Sequence, residues 1–358
     1  MSVDKMLADA RPRRLDPDHR PDPAPLMAHP RPSPVRRPRV RRAVLVPAVA
    51  AAVAAGAVVL GTQTESDNGP PAAHTTSPQA PRSASGLLLV AAERSAAAQV
   101  DEGRYWVTRS EFGTRYEVGP EGGRYAILSR DTAERWLSTG PDGPSLAVYE
   151  HLGAAPAGPA DETAWRADGS PTRWPEVDAE GTPTGRFHES APGPREIVGY
   201  GVASFEPTTG APMLGGNPVS KAALDALPSE PAALRAALLH HRQNPAAPLP
   251  EDWVLFWTTR DLVLNLPVSP AVRAAAYRVM AGLEEVTLLG PATDQRGRAG
   301  EAVAFVEHDR GGSTEYRLII DPATGQAFAT EQRDTAGELT YYELVDDAGF
   351  RDETPPTE

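Results

Sequence analysis

Tyr316-Arg317-Leu318-Ile319-Ile320-Asp321-Pro322-Ala323-Thr324-Gly325-Gln326-Ala327-Phe328-Ala329-Thr330 reads as strand, turn, strand. Branched and aromatic residues fill both ends, and Asp, Pro and Gly fill the middle, where the chain must reverse. The same grammar repeats on either side. Strands are predicted at 286–289, 302–306, 316–320, 327–332 and 340–345. Between them lie Asp294-Gln295-Arg296-Gly297, Arg310-Gly311-Gly312 and Thr335-Ala336-Gly337. Strands joined by turns this short are antiparallel neighbours. The segment 286–350 is therefore a β-meander.

Helices precede it over 219–283. Ser269 before Pro270 is a strong helix start, since Pro at the first helical position loses no hydrogen bond. Behind it, Val272, Ala275, Ala276, Val279, Met280 and Leu283 fall on one helical face, which places Arg273 on the outer face. Ser220 and Ser229 are the expected caps of helices 221–227 and 230–242, the second burying Leu234, Leu238 and Leu239. Glu251 and Asp252 ahead of Trp253, Val254, Phe256 and Trp257 suit a buried helix, although propensity alone also allows a strand.

The first part of the domain, 86–138, reads as a helix over 87–98 and strands at 105–110, 125–129 and 135–138, with a turn at Gly119-Pro120-Glu121-Gly122-Gly123. Residues 139–218 run long and irregular and hide strands that periodicity does not resolve. The fold class is α+β: strands, helices, then a meander.

Ahead of this domain stands Ala43-Val44-Leu45-Val46-Pro47, continuing without a charge to Gly61, with Arg36, Arg37, Arg39, Arg41 and Arg42 in front. Such a run spans about 28 Å as a helix, close to the roughly 30 Å apolar core of a bilayer. The arginines mark its cytoplasmic side. The expected order is a disordered basic cytoplasmic tail (1–42), a single transmembrane helix (43–61), a Pro/Ser/Thr-rich tether (62–85), an extracytoplasmic domain (86–352) and a disordered tail (353–358). The basic region lies too far from the N-terminus for an ordinary secretory signal.

Charge divides at the same place. The chain carries −13. Residues 1–61 hold eleven Lys and Arg against five Asp, so they are +6 and the remainder is −19. An outer domain this acidic does not attract nucleic acid through its phosphates. With no cysteine, thiol catalysis, thiolate zinc sites and iron–sulfur clusters are excluded.

No residue set rises to a catalytic, cofactor or metal site. In Glu307-His308-Asp309 strand alternation turns His308 away from its neighbours. His240-His241 closes a helix, where positive charge suits the dipole. Glycines at 119–123 and 210–216 lack the strand-before, helix-after setting of a phosphate loop. Trp136, Trp165, Trp174, Trp253 and Trp257 read as core, with a subset available to line an apolar groove.

The Arg-led anchor, Ser269-Pro270-Ala271-Val272-Arg273-Ala274-Ala275-Ala276-Tyr277-Arg278, Asp294-Gln295-Arg296-Gly297-Arg298 and Leu318-Ile319-Ile320-Asp321-Pro322-Ala323-Thr324-Gly325 carry a resemblance. The chain resembles actinobacterial single-pass membrane proteins often encoded near extracytoplasmic-function sigma factors. More distantly, its strand–turn–strand pattern is similar to that of periplasmic lipoprotein carriers and the sensor domains that partner anti-sigma factors. The resemblance implies a curved antiparallel sheet with helices across its open side. It also implies a non-enzymatic sensor or binding module of the cell envelope, with a protein of a sigma-factor system or an apolar ligand as partner. A lipid carrier and a hydrolase without a motif are the alternatives.

Overall fold

A computed structural model describes residues 83–99, 101–140, 145–178, 181–200, 212–242, 249–309 and 312–357. The expected basic tail, transmembrane run 43–61 and nearly all of the tether lie outside them. Among the described residues no helix is long and apolar enough to cross a membrane.

The chain opens with α1 (Ala84–Ala96), whose Ser83 side chain accepts a hydrogen bond from the Gly86 amide. Strands β1 (Tyr105–Val118), β2 (Tyr125–Ser138) and β3 (Ser145–Pro156) follow. Then come α2 (Pro159–Ala167), the hairpin β4 (Arg173–Val177) and β5 (Pro183–Glu189), β6 (Arg195–Tyr200) and the short hairpin β7 (Met213–Leu214) and β8 (Asn217–Pro218). Helices α3 (Lys221–Asp225), α4 (Pro231–Arg242), α5 (Glu251–Leu264) and α6 (Pro270–Ala281) come next. The meander closes the domain: β9 (Thr287–Thr293), β10 (Ala299–Asp309), β11 (Gly312–Ile320), β12 (Ala327–Arg333) and β13 (Leu339–Arg351).

Nine strands make one antiparallel sheet in the order β6-β3-β2-β1-β13-β12-β11-β10-β9. The two ends of the domain therefore meet in its middle. Tyr105 of β1 lies opposite Arg351 of β13, and Thr114 opposite Tyr341, with a bulge after Arg109. The α+β class and the meander agree with the sequence reading.

Three expectations change. The strands at 125–129 and 135–138 are one strand, β2, because Arg130–Glu134 keeps its pairing with β1 straight through its polar middle. The stretch 139–218, read as irregular with hidden strands, holds those strands as β3 to β8 and also a helix, α2, that was not expected. Residues 353–357, read as part of a disordered tail, include a buried Pro355.

One face of the sheet carries the main core. Val303, Phe305, Leu318, Ile320 and Val345 meet Leu87, Leu88, Ala91 and Ala92 of α1, Leu234 and Leu238 of α4, Phe256 of α5, and α6. The predicted stripe of α6 is buried throughout, Leu283 included, and Ser269 caps it by accepting from the Val272 amide. Helix α6 is enclosed on more sides than the stripe implied. Tyr277 and Ala274 are buried too, and Arg273 is only half-exposed, donating to the Leu266 carbonyl. The cap of α4 is Glu230 rather than Ser229: its carboxylate accepts from the Ala232 and Ala233 amides. At the other end of this face, α2 and β4 cover Val118, Tyr125, Ile127 and Ala154 with Trp165 and Trp174.

The opposite face holds Ala302, Ile319, Phe328, Ala329, Tyr342 and Leu344. The β9–β10 turn, 294–298, folds against it. Asp294 accepts from the amides of Arg296 and Arg298, and Arg298 donates to the Val345 and Phe328 carbonyls.

Candidate functional site: a cleft under helix α5

Between the core under the helices and the patch under α2, the covered face of the sheet stays open. Alternation along β1 sends Trp106, Thr108 and Phe112 to this face; their cross-strand partners on β2 are Leu137, Arg135 and Asp131. Tyr149 of β3 and Tyr341 and Glu343 of β13 join them. Helix α5 passes over the top with Trp257, Arg260 and Asp261. The partly open space is about 270 Å³ and is lined by these residues except Asp131, together with Met213, Gly216, Asn265, Leu266 and Pro267.

The roof is firmly fixed. Phe256 stacks on Phe305 at 5.1 Å between ring centroids, anchoring α5 to the core. Trp257 stands edge-on to Tyr316 at 5.3 Å and stacks on Trp253 at 5.4 Å. The end of α5 is tied to the sheet twice. The Trp106 indole N–H donates to the Asn265 carbonyl at 3.0 Å, and the Asn265 amide donates to Glu343 Oε1 at 3.1 Å. Thr258 and Thr259 are buried, and each hydroxyl donates back to a carbonyl of the preceding turn.

The charges inside are unequal in their pairing. Arg260 lies 3.8 Å over the Trp257 ring and donates to Asp261 Oδ1 at 2.6 Å. The second Asp261 oxygen accepts from the Gly215 amide at 2.7 Å, pinning the β7–β8 turn to α5. That turn has φ of +59° at Gly215 and +78° at Gly216, which only glycine adopts readily in succession. Burial, reinforced by the Glu343 charge, pushes the Tyr341 phenol up, so it stays neutral at any physiological pH. Arg135 is different. Its guanidinium sits 5.1 Å over the Phe112 ring and has no carboxylate partner among the described residues.

Of the residues singled out from sequence, Trp257 and Gly216 line the cleft and the others lie elsewhere. Glu307 accepts from the Tyr316 hydroxyl at 2.9 Å, while His308 is exposed. His240 and His241 are exposed at the end of α4. Gly119 and Gly122 shape the β1–β2 turn with positive φ. Among the described residues no group of three His, Asp or Glu is placed to hold a metal. Trp136 and Trp174 are core, and Trp165 borders it. Trp253 and Trp257 are half-buried, and Trp257 lines the cleft. Trp106, Arg135, Arg260 and Glu343 escaped the sequence reading because they come from four separate elements with no shared spacing.

The fold and the cleft define a class: an open antiparallel sheet whose one face, capped at both ends, leaves room for a small ligand between a helix and the strands. No protein-family model matches the chain, and no curated protein does. Among solved structures, the chain is similar to the Pseudomonas aeruginosa MucA/MucB complex at 11% identity and TM-score 0.21, over 74% of this chain and 56% of that one. The match thus spans little more than half of that relative's length. The chain is also similar to an outer-membrane lipoprotein-sorting protein domain from Vibrio parahaemolyticus at 12% identity and TM-score 0.19, over 74% and 92% of the two chains. Both likenesses are distant, with TM-scores too low to transfer a function.

Proposed function

We propose that the chain is a membrane-anchored, non-enzymatic sensor or binding module of the cell envelope, whose cleft takes an apolar molecule carrying one anionic group. The observation that carries this reading is Arg135, a cation without a carboxylate partner among the described residues, set in a wall of Trp106, Phe112 and Trp257. A concave, largely aromatic site with a few placed polar groups is the usual form of a small-molecule site. Arg260 cannot fill that role, because Asp261 already neutralises it. The resemblance to anchored proteins encoded beside sigma factors supports a regulatory use. In this reading 43–61 is the span and the acidic domain faces outward.

The test uses 8-bromooctanoate, whose bromine quenches nearby indoles. Saturable quenching of the full chain in nanodiscs is expected, weakened at least tenfold by Arg135→Gln and absent with neutral 8-bromooctanol. Equal quenching by both probes, or no effect of the substitution, overturns the anionic reading. Turnover of an ester, peptide, glycoside or phosphoester reporter, abolished by one Ser, His, Asp or Glu substitution without loss of Tm, overturns the non-enzymatic one. Because the chain has no cysteine, Glu121→Cys supplies a single thiol. A membrane-impermeant maleimide should label it on intact cells, and protection from the reagent contradicts the topology.

A further inference from the structure

His151 of β3 lies opposite Asp131 of β2. Its Nδ1 is 2.9 Å from Asp131 Oδ1, and its Nε2 is 3.0 Å from the Glu189 carbonyl oxygen at the end of β5. A carboxylate and a carbonyl are both acceptors. A neutral imidazole has one N–H, so it satisfies one of them and turns a lone pair toward the other. Only the imidazolium donates to both.

The second contact ties two pieces of the fold together. The β4–β5 hairpin is not a member of the nine-stranded sheet. It brings Trp174 into the patch over β1 and β2, where the indole N–H donates to the Tyr125 hydroxyl at 2.9 Å. Just past it, the Gly193 amide donates to the His151 carbonyl at 2.8 Å. Gly153 of β3 lets the backbone at Ser190 come this close, because a Cβ there would run into the Ser190 carbonyl.

We infer that His151 is a proton-operated latch: charged, it holds the β4–β5 hairpin against β2 and β3, and on losing its proton it releases that hairpin from the covered face of the sheet. The groups around it and its neighbour His188 come from four strands. Asp131 belongs to β2 and Tyr116 to β1. His188, Glu189 and Arg186 belong to β5, and Glu176 and Arg173 to β4. Arg173 pairs with the Glu189 carboxylate at 2.9 Å and Arg186 with Glu176 at 3.2 Å, so the hairpin's own charges are spoken for. The His188 ring lies against Tyr116 at 4.0 Å between centroids, tilted by 31°.

The direction of titration follows. Burial lowers the His151 pKa, but the hydrogen bonds to the Glu189 carbonyl and the Asp131 carboxylate outweigh it and hold the group above its ordinary value. A raised folded pKa gives stability that is complete below the unfolded value of about 6.5 and is lost as pH rises through the folded value. His188 runs the other way: burial lowers it, so its neutral form is favoured and acid opposes closure. Burial raises Tyr116, with help from Glu176, so its phenol stays neutral across both limbs. The alkaline limb belongs to His151.

The test is an imidazole ¹⁵N titration of the full chain in nanodiscs, with hydrogen exchange at the Gly193 amide, corrected for intrinsic rate, from pH 6 to 9. At pH 6.5 both His151 nitrogens should show the imidazolium shift. Opening at Gly193 should rise with pH between the unfolded value of about 6.5 and the folded pKa, by at most about tenfold per pH unit, the slope of a single proton, and level off above it. His151→Gln should flatten that rise, and His188→Gln should keep it. A neutral His151 at pH 6.5, or an undiminished rise in His151→Gln, overturns the latch. The titration is read on the unaltered chain, so it decides the matter even where a variant does not fold.

Discussion

Arg296, in the turn between β9 and β10, donates through Nη2 to the carboxylate of Glu111 on β1 at 2.5 Å, across 185 residues of sequence. The contact joins the C-terminal meander to the N-terminal strands on the face away from the helices. Tyr342 donates to the other Glu111 oxygen at 2.6 Å, and Arg296 also reaches Asp346 at 2.6 Å. Burial raises the Glu111 pKa, but these two donors overcome it and the carboxyl titrates below its ordinary value.

Arg296→Ala should therefore destabilise the domain by about 1–3 kcal/mol, since it leaves a buried carboxylate short of a partner. The pH dependence has a definite sign. A depressed folded pKa gives stability that is present above the unfolded value of about 4.3 and lost as pH falls through the folded one. In the variant the folded pKa rises toward the unfolded one, so less stability is lost to acid through this group and the acid limb of a Tm-against-pH curve should become shallower. An unchanged acid limb contradicts the role given to this pair.

Gly325 closes the Asp321-to-Gly325 turn with φ of +75°, and its carbonyl accepts from the buried Tyr277 hydroxyl at 2.8 Å. A Cβ there would sit 2.7 Å from the Ala91 carbonyl oxygen and 2.8 Å from the Arg94 Cβ, both on α1. Gly337 has nearly the same φ, +78°, with open space around it. Each Gly→Ala change meets the left-handed penalty of about 1–2 kcal/mol. Gly325→Ala should exceed Gly337→Ala clearly in urea unfolding, because it also drives the turn off α1. Equal losses contradict that packing.

Met280 is fully buried and Arg278 is exposed on the same helix. Met280→Ala should cost about 2–5 kcal/mol, and Arg278→Ala should stay within about 0.5. Comparable Tm shifts for the two would mean that the burial of α6 is misassigned.

The sequence was legible where local rules decide the outcome. The Ser269-Pro270 cap, the apolar stripe behind it and the glycine turns at 294–297, 321–325 and 335–337 each work within a few residues, and each stands where it was read; the turn at 310–312 falls largely outside the described residues. Strand β2 was split in the reading because Arg130-Asp131-Thr132 breaks its apolar pattern. Those residues are paired on both sides, and Asp131 faces a polar site made by His151 of another strand. The stretch 139–218 was opaque because, of its strands, only β3 lies inside the main sheet; β6 is at its edge, and β4, β5, β7 and β8 are outside it. Half-exposed strands lose the clean alternation that marks a sheet with one buried face. Of the cleft only Trp257 was legible, as one of the tryptophans available to line an apolar groove; its charged lining was not. Arg135 and Trp257 are brought together by the pairing of β1 with β13 and the passage of α5, both long-range events that no spacing records.

The most direct test of the cleft needs no guess about its occupant. Tyr149→p-benzoylphenylalanine puts a photocrosslinker on the cleft wall, and Thr132→p-benzoylphenylalanine puts one on the opposite face of the sheet. After irradiation in the living host, mass spectrometry of the intact chain should show a small-molecule adduct at position 149, absent at 132 and lost when Arg135→Gln is added. No adduct at 149, the same adduct from both positions, or a protein-sized adduct at 149 contradicts a cleft that binds a small amphipathic anion.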